Sequence, residues 1–175
     1  WQILTHMFMH ADFMHILFNM YGLYIFGSIL ERVWGPKRFV EFYFMTGLGA
    51  MLLFTGVQAF QVFNLTGSVA PNNLLVEPYS KAFYVINGSM LGASGAIFGI
   101  LTAFAMLFPN TELYLMFIPV PIKAKYLVGG YVIIELFSGI RNNPQDNVAH
   151  FAHLGGALIG FIIVKLWNRN RNSLY

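Results

Sequence analysis

No cysteine occurs among the 175 residues, which excludes disulfide staples and thiolate metal sites and leaves the redox compartment open. Charge is nearly as scarce: Asp, Glu, Lys and Arg make up 10% of the chain, against roughly 25% in soluble domains. Apolar residues fill 57% and the mean hydropathy is +0.62, so a water-soluble globule is excluded as well. A net charge of +3 is too small a surplus to indicate a nucleic-acid partner. Low-complexity runs and internal repeats are also missing, which leaves a single integral-membrane domain over residues 1–175.

What fills the chain is five apolar stretches, at 13–30, 39–60, 90–108, 126–140 and 148–167, each approaching the ~20 residues a helix needs to cross the hydrocarbon core. The fourth is the weakest, because Glu135 interrupts it; that carboxylate is expected to bond to a neighbouring helix. One long connection, 61–89, carries Pro71, Pro78 and several Asn and Gly residues, and reads as an outer loop with a short surface helix. With all five stretches spanning, one side receives Arg32, Lys37, Arg38, Lys123, Lys125, Lys165, Arg169 and Arg171, and the other only Lys81 and Arg141. Eight against two is a positive-inside signal that sets the C-terminus in the cytoplasm and the opposite side outside. Trp34, Trp167 and Tyr175 read as interfacial anchors, and Met9, Met14, Met20 and the many Phe residues as packing or lipid-facing groups.

Alternate spans run in the same direction, so the beginnings of the first, third and fifth share one side, the outer one. The unusual polar residues fall there: His10, His15 and Asn19 in the first, Ser94 in the third, His153 in the fifth. At about 1.5 Å per residue each lies a turn or so below the surface. Intramembrane polar groups are costly and by default mark function. A hydroxyl attacks a carbonyl well only when a base takes its proton, so a serine and a histidine at one depth point to acyl transfer. A lone serine in a membrane helix ordinarily back-bonds to its own helix, but the setting Gly92-Ala93-Ser94-Gly95 argues against that here. Gly95 with Gly99, and Gly156 with Gly160, form small-xxx-small pairs next to Ser94 and His153, and packing through those faces would bring the two within hydrogen-bond reach. His15 and Asn19, four residues apart, share a helix face. His150 reads as interfacial, His6 as either interfacial or functional, and His10 as a structural hydrogen-bonding residue that orders the outer loop.

Taken together, the string His10-Ala-Asp-Phe-Met-His15-Ile-Leu-Phe-Asn19, then Gly92-Ala-Ser-Gly, then Ala152-His153-Leu-Gly-Gly156-Ala-Leu-Ile-Gly160, resembles the rhomboid intramembrane serine proteases. The resemblance covers nearly the whole chain and is bacterial in style. It implies an all-α bundle of six spans reached from the extracytoplasmic side of a bacterial inner membrane, five of them visible here and the first expected upstream. It also implies Ser94 as nucleophile, His153 as general base and acid, and an oxyanion hole made by His15, Asn19 and the backbone N–H of Ser94. An unpaired N–H at a helix start is what a developing oxyanion needs. No acid stands out as a third member: Asp12 and Asp146 lie in outer loops, so the expectation is a dyad. Phe98, one turn after the nucleophile, replaces a tyrosine that stacks on the histidine in some members, and keeps the stacking face.

The leading function is therefore cleavage of membrane-anchored proteins near the outer end of their spans, with transmembrane substrates and the bilayer as partners and no cofactor or metal. One rival is a rhomboid-like pseudoprotease that escorts membrane clients, against which stands the presence of both Ser94 and His153. The other is a metal enzyme or transporter using His6, His10, His15, His150 and His153, but these form no His-Glu-x-x-His pattern and leave Ser94 without a role. No pattern specifies an oligomeric state.

Overall fold

The structure is a computed structural model that describes residues 1–69, 76–78, 80–88, 90–114, 120–141 and 148–169. Each apolar stretch is a helix. The first runs over Phe13–Trp34 as α2 (Phe13–Gly22), one wide π turn (Leu23–Gly27) and α3 (Ser28–Trp34), after a short α1 (Gln2–Thr5). Gly35, at φ 81°, reverses the chain and gives its N–H to the Glu31 carbonyl at 2.7 Å; Pro36 then opens α4 (Pro36–Thr66), as a residue lacking an N–H suits a first helical position. The outer connection carries α5 (Lys81–Asn87), which Ser80 caps by accepting from the Phe83 N–H. The remaining apolar helices are α6 (Ser94–Leu107), α7 (Ala124–Arg141) and α8 (His150–Arg169); among the described residues Phe13–Trp34, Pro36–Thr66 and His150–Asn168 are long and apolar enough to cross a membrane. Between α6 and α7 lies an antiparallel pair, β1 (Glu112–Tyr114) with β2 (Pro121–Lys123), Leu113 opposite Ile122. Pro78 and Lys81 lie in the described part of the outer connection; Pro71, Asp146, Arg171 and Tyr175 lie outside the described residues.

The helix α8 is the hub, packed chiefly on α6 and α4 and along one side on α7. Its two ends are filled differently. Leu30, Phe42, Ile97, Ile100, Ile163 and Val164 form a dense apolar cluster. Trp34 and Trp167, near the ends of α3 and α8, pack against that cluster: their rings meet edge to face at 5.2 Å, and Phe42 lies 4.9 Å from Trp34. Nearer the start of α8 the contacts are between glycines and backbones. A Cβ on Gly156 would overlap the Gly95 carbonyl oxygen, and one on Gly160 would lie 2.8 Å from that of Gly99. Gly155, one residue earlier, faces α4 instead, with Ala50 Cα 2.9 Å away. Gly95 and Gly99 turn their own open sides to Ala50 and Thr46 of α4, so the small residues of α6 serve two neighbours at once.

Candidate active site

The helix α6 begins at Ser94, not at the hydrophobic boundary near residue 90, because Gly92 takes φ +107°. A 14-residue helix is about 21 Å long, short of a ~30 Å hydrocarbon core. Inside a hydrocarbon core unpaired backbone N–H groups are tolerated only against polar partners or a water-lined cavity. Ser94, the first residue of α6, has no acceptor for its N–H within the helix.

Across from it, the first turn of α8 places His153 with its Nε2 2.8 Å from Ser94 Oγ. The hydroxyl donates in that bond when the ring proton sits on Nδ1. The imidazole is buried (8% exposed) and lies flat on the Phe98 ring, centroids 4.3 Å apart and planes 8° from parallel. Stacking on one face and a serine at one edge leave the ring little freedom to turn.

From the other side, α2 supplies two polar groups. Asp12 caps the helix by accepting from the His15 N–H at 2.8 Å, which occupies that carboxylate locally. His15 Nδ1 accepts weakly from the Ala11 N–H at 3.4 Å, so its Nε2 is left as the donor. Nε2 of His15 and Nδ2 of Asn19 both converge on Gly92: a Cβ there would sit 2.6 Å from the first and 3.3 Å from the second. Asn19 is buried and its Nδ2 has no partner among the described residues. An orphan donor of this kind costs about 1–3 kcal/mol. The Gly92 turn is tied down in turn by its N–H, which donates to the His6 carbonyl at 2.9 Å. His6 is buried within the protein, and Met7 beside it packs on Gly47 of α4. His10 differs from expectation. Both its ring nitrogens are enclosed without a hydrogen-bond partner among the described residues, and its contact is an edge-on approach to the His15 ring at 5.1 Å.

Two polar contacts were not anticipated in this form. Gln58 of α4 donates through Nε2 to the carbonyls of Val85 at 2.6 Å and Gly88 at 3.0 Å, anchoring α5 and the approach to Gly92. Glu135 does bond to a neighbouring helix, as expected, but its partners are the histidines of α8. Its Oε2 accepts from His150 Nδ1 at 2.6 Å and lies 3.1 Å from His153 Nδ1. The second approach has hydrogen-bond length without hydrogen-bond alignment, since His153 Nδ1 satisfies no directional criterion. His150, at the start of α8, is thus engaged with a carboxylate. The available signal was an ionisable residue inside a span together with histidines three apart on another.

The fold is that of a polytopic helical membrane protein, with a serine hydroxyl bonded to an imidazole at a helix start. The chain belongs to the rhomboid family: the Rhomboid domain matches residues 1–169. Rhomboid-like protein 16, chloroplastic, of Arabidopsis thaliana is 30% identical, over 99% of this chain and 50% of its own length. Rhomboid protease AarA of Providencia stuartii is 28% identical over 93% of this chain and 54% of its own, and rhomboid protease GluP of Bacillus subtilis 30% over 92% and 25%. The chain spans about half the length of the first two and a quarter of the third. No solved structure matches it. The relatives include chloroplastic and mitochondrial proteins, so they support an integral membrane protein and do not single out a bacterial inner membrane.

Proposed function

We propose that the chain is an intramembrane serine endopeptidase that cleaves membrane-anchored proteins within or near the outer end of their spans. The observation that carries this reading is the 2.8 Å contact between Ser94 Oγ and His153 Nε2 at a glycine-lined helix start. Two rhomboid proteases among the relatives support it. In the attack step Ser94 Oγ bonds to the scissile carbonyl carbon while its proton passes to His153 Nε2. The carbonyl oxygen, now negative, is received by the Ser94 N–H, His15 Nε2 and Asn19 Nδ2. Collapse breaks the C–N bond and the leaving amine takes the proton from His153. Water, deprotonated by the same nitrogen, then releases the acyl group and restores the serine. A helical peptide bond is shielded by its own hydrogen bonds, so the substrate must unwind locally before attack. The site opens to the extracytoplasmic side, as the distribution of basic residues supports.

The test is covalent labelling. The purified protein, treated with a fluorophosphonate probe, is expected to be modified at Ser94, and Ser94→Ala to lose both labelling and cleavage of a reconstituted membrane substrate. Robust cleavage by Ser94→Ala, or activity lost to a chelator and restored by zinc, would reject the serine mechanism.

A further inference from the structure

The carboxylate of Glu135 lies on the far side of the His153 ring from Ser94. Three features of α7 meet there. Glu135 Oε2 sits 3.1 Å from His153 Nδ1 and 2.6 Å from His150 Nδ1. Gly139, one turn further on the same face, lets α7 close on the first turn of α8: a Cβ there would lie 3.2 Å from the Phe151 ring and 3.3 Å from His150 Cβ. The rest of the outer half of α7 turns away from the bundle, with Ile133, Ile134, Phe137 and Ile140 all exposed. A carboxylate on an otherwise apolar helix is thus directed at one place, the back of the imidazole.

We propose that Glu135 is a positioning residue that holds His153 with its proton on Nδ1, making a Glu135-His153-Ser94 chain out of what the sequence presents as a dyad. The inference rests on the reading of Ser94 and His153 as nucleophile and base. An imidazole can accept the serine proton on Nε2 only as the Nδ1–H tautomer, and a carboxylate facing Nδ1 selects that tautomer. The same negative charge favours the imidazolium that forms during attack; the carboxylate itself stays ionised and takes no proton. The contact is off-axis because one oxygen serves two histidines, and catalytic hydrogen bonds of this kind tighten once substrate is bound. His150, bonded to the same oxygen, keeps the carboxylate at the mouth of α8 between turnovers.

The test has two readouts. In the 15N-histidine-labelled wild type, at a pH where the ring is neutral, His153 is assigned by the signal that vanishes in His153→Ala and is expected to be protonated on Nδ1. An Nε2–H ring in the wild type overturns the proposal without any change at Glu135. In proteoliposomes, Glu135→Gln is expected to lower kcat about 100-fold or more with KM little changed, given the ~10⁴-fold loss when an aligned triad acid becomes an amide. Glu135→Asp, which keeps the charge on a shorter stem, is expected to recover part of kcat. A folded Glu135→Gln protein with wild-type kcat, or with KM alone raised, overturns it. Absence of Ser94-dependent cleavage in the wild type would reject the protease reading instead, and the tautomer measurement would still decide this one.

Discussion

At the scale of single residues, the site divides into groups that act as a unit and groups that act in one step. Ser94 and His153 belong to the first kind, since neither performs the attack without the other. Ser94→Ala, His153→Ala and the double variant are expected to be about equally inactive, and a double variant much worse than either single one would show that they act separately. Asn19 belongs to the second kind. Its Nδ2 is buried and unpartnered beside Gly92, a donor whose natural acceptor exists only once a carbonyl becomes an oxyanion. Loss of one such donor typically costs ~3 kcal/mol, so Asn19→Ala is expected to lower kcat 100- to 1000-fold and leave KM nearly unchanged. Steady-state cleavage in proteoliposomes checks this; wild-type kcat with a raised KM would place Asn19 in substrate binding. These residues stand out in the sequence because each is polar within an apolar stretch and falls at one depth. Glu135 stands out equally, but its partners do not, because which face α7 turns toward α8 depends on the approach at Gly139 and not on any local pattern. For the same reason the mutual packing of Trp34 and Trp167, which lie far apart in the chain, was invisible.

At the scale of elements, hydropathy locates all five apolar helices, three of which are long and apolar enough to cross a membrane, while their ends follow local backbone chemistry. The third begins four residues inside its apolar stretch because Gly92 adopts a positive φ, and the second runs on to Thr66, where Gly67 at φ 75° ends it. The pair of short strands between α6 and α7 left no trace in the pattern, three residues each being too few to show a period of two. The α6–α8 contact was legible as two glycine pairs, but the sharing of Gly95 and Gly99 with α4 was not. That contact sets the Ser94–His153 distance. Valine at Gly156 would collide with the Gly95 carbonyl, one residue from the nucleophile, and a shift of ~1 Å in such a geometry costs about 100-fold in rate. Gly156→Val is therefore expected to be nearly inactive even where it inserts and folds. Gly129→Ala on α7, where an added methyl meets nothing within 4 Å, is the control and is expected to keep wild-type kcat. Equal activity of the two variants would show that the glycine seam does not govern the site.

At the scale of the whole molecule, two different kinds of packing share one bundle, a dense cluster of large apolar side chains and a seam in which backbones touch through glycine. The large side chains have the packing that resists rearrangement; the seam has room for polar groups between closely spaced helices. Which end faces which compartment is a matter of charge. In the orientation proposed above, basic residues gather at the inner ends of the apolar stretches and the start of α6 lies at the other. The chain's lack of cysteine makes this directly measurable, since any thiol introduced is unique. Lys81 and Lys37 are both exposed and lie on opposite sides of the proposed orientation. In spheroplasts of a bacterial host, Lys81→Cys is expected to react with a membrane-impermeant maleimide from outside, and Lys37→Cys only after permeabilisation. The substitutions each remove one of ten basic charges, so the balance that orients the chain changes little. The reverse labelling pattern would turn the bundle over, place Ser94 and His153 near the cytoplasmic face, and require substrates to be cut at the inner ends of their spans.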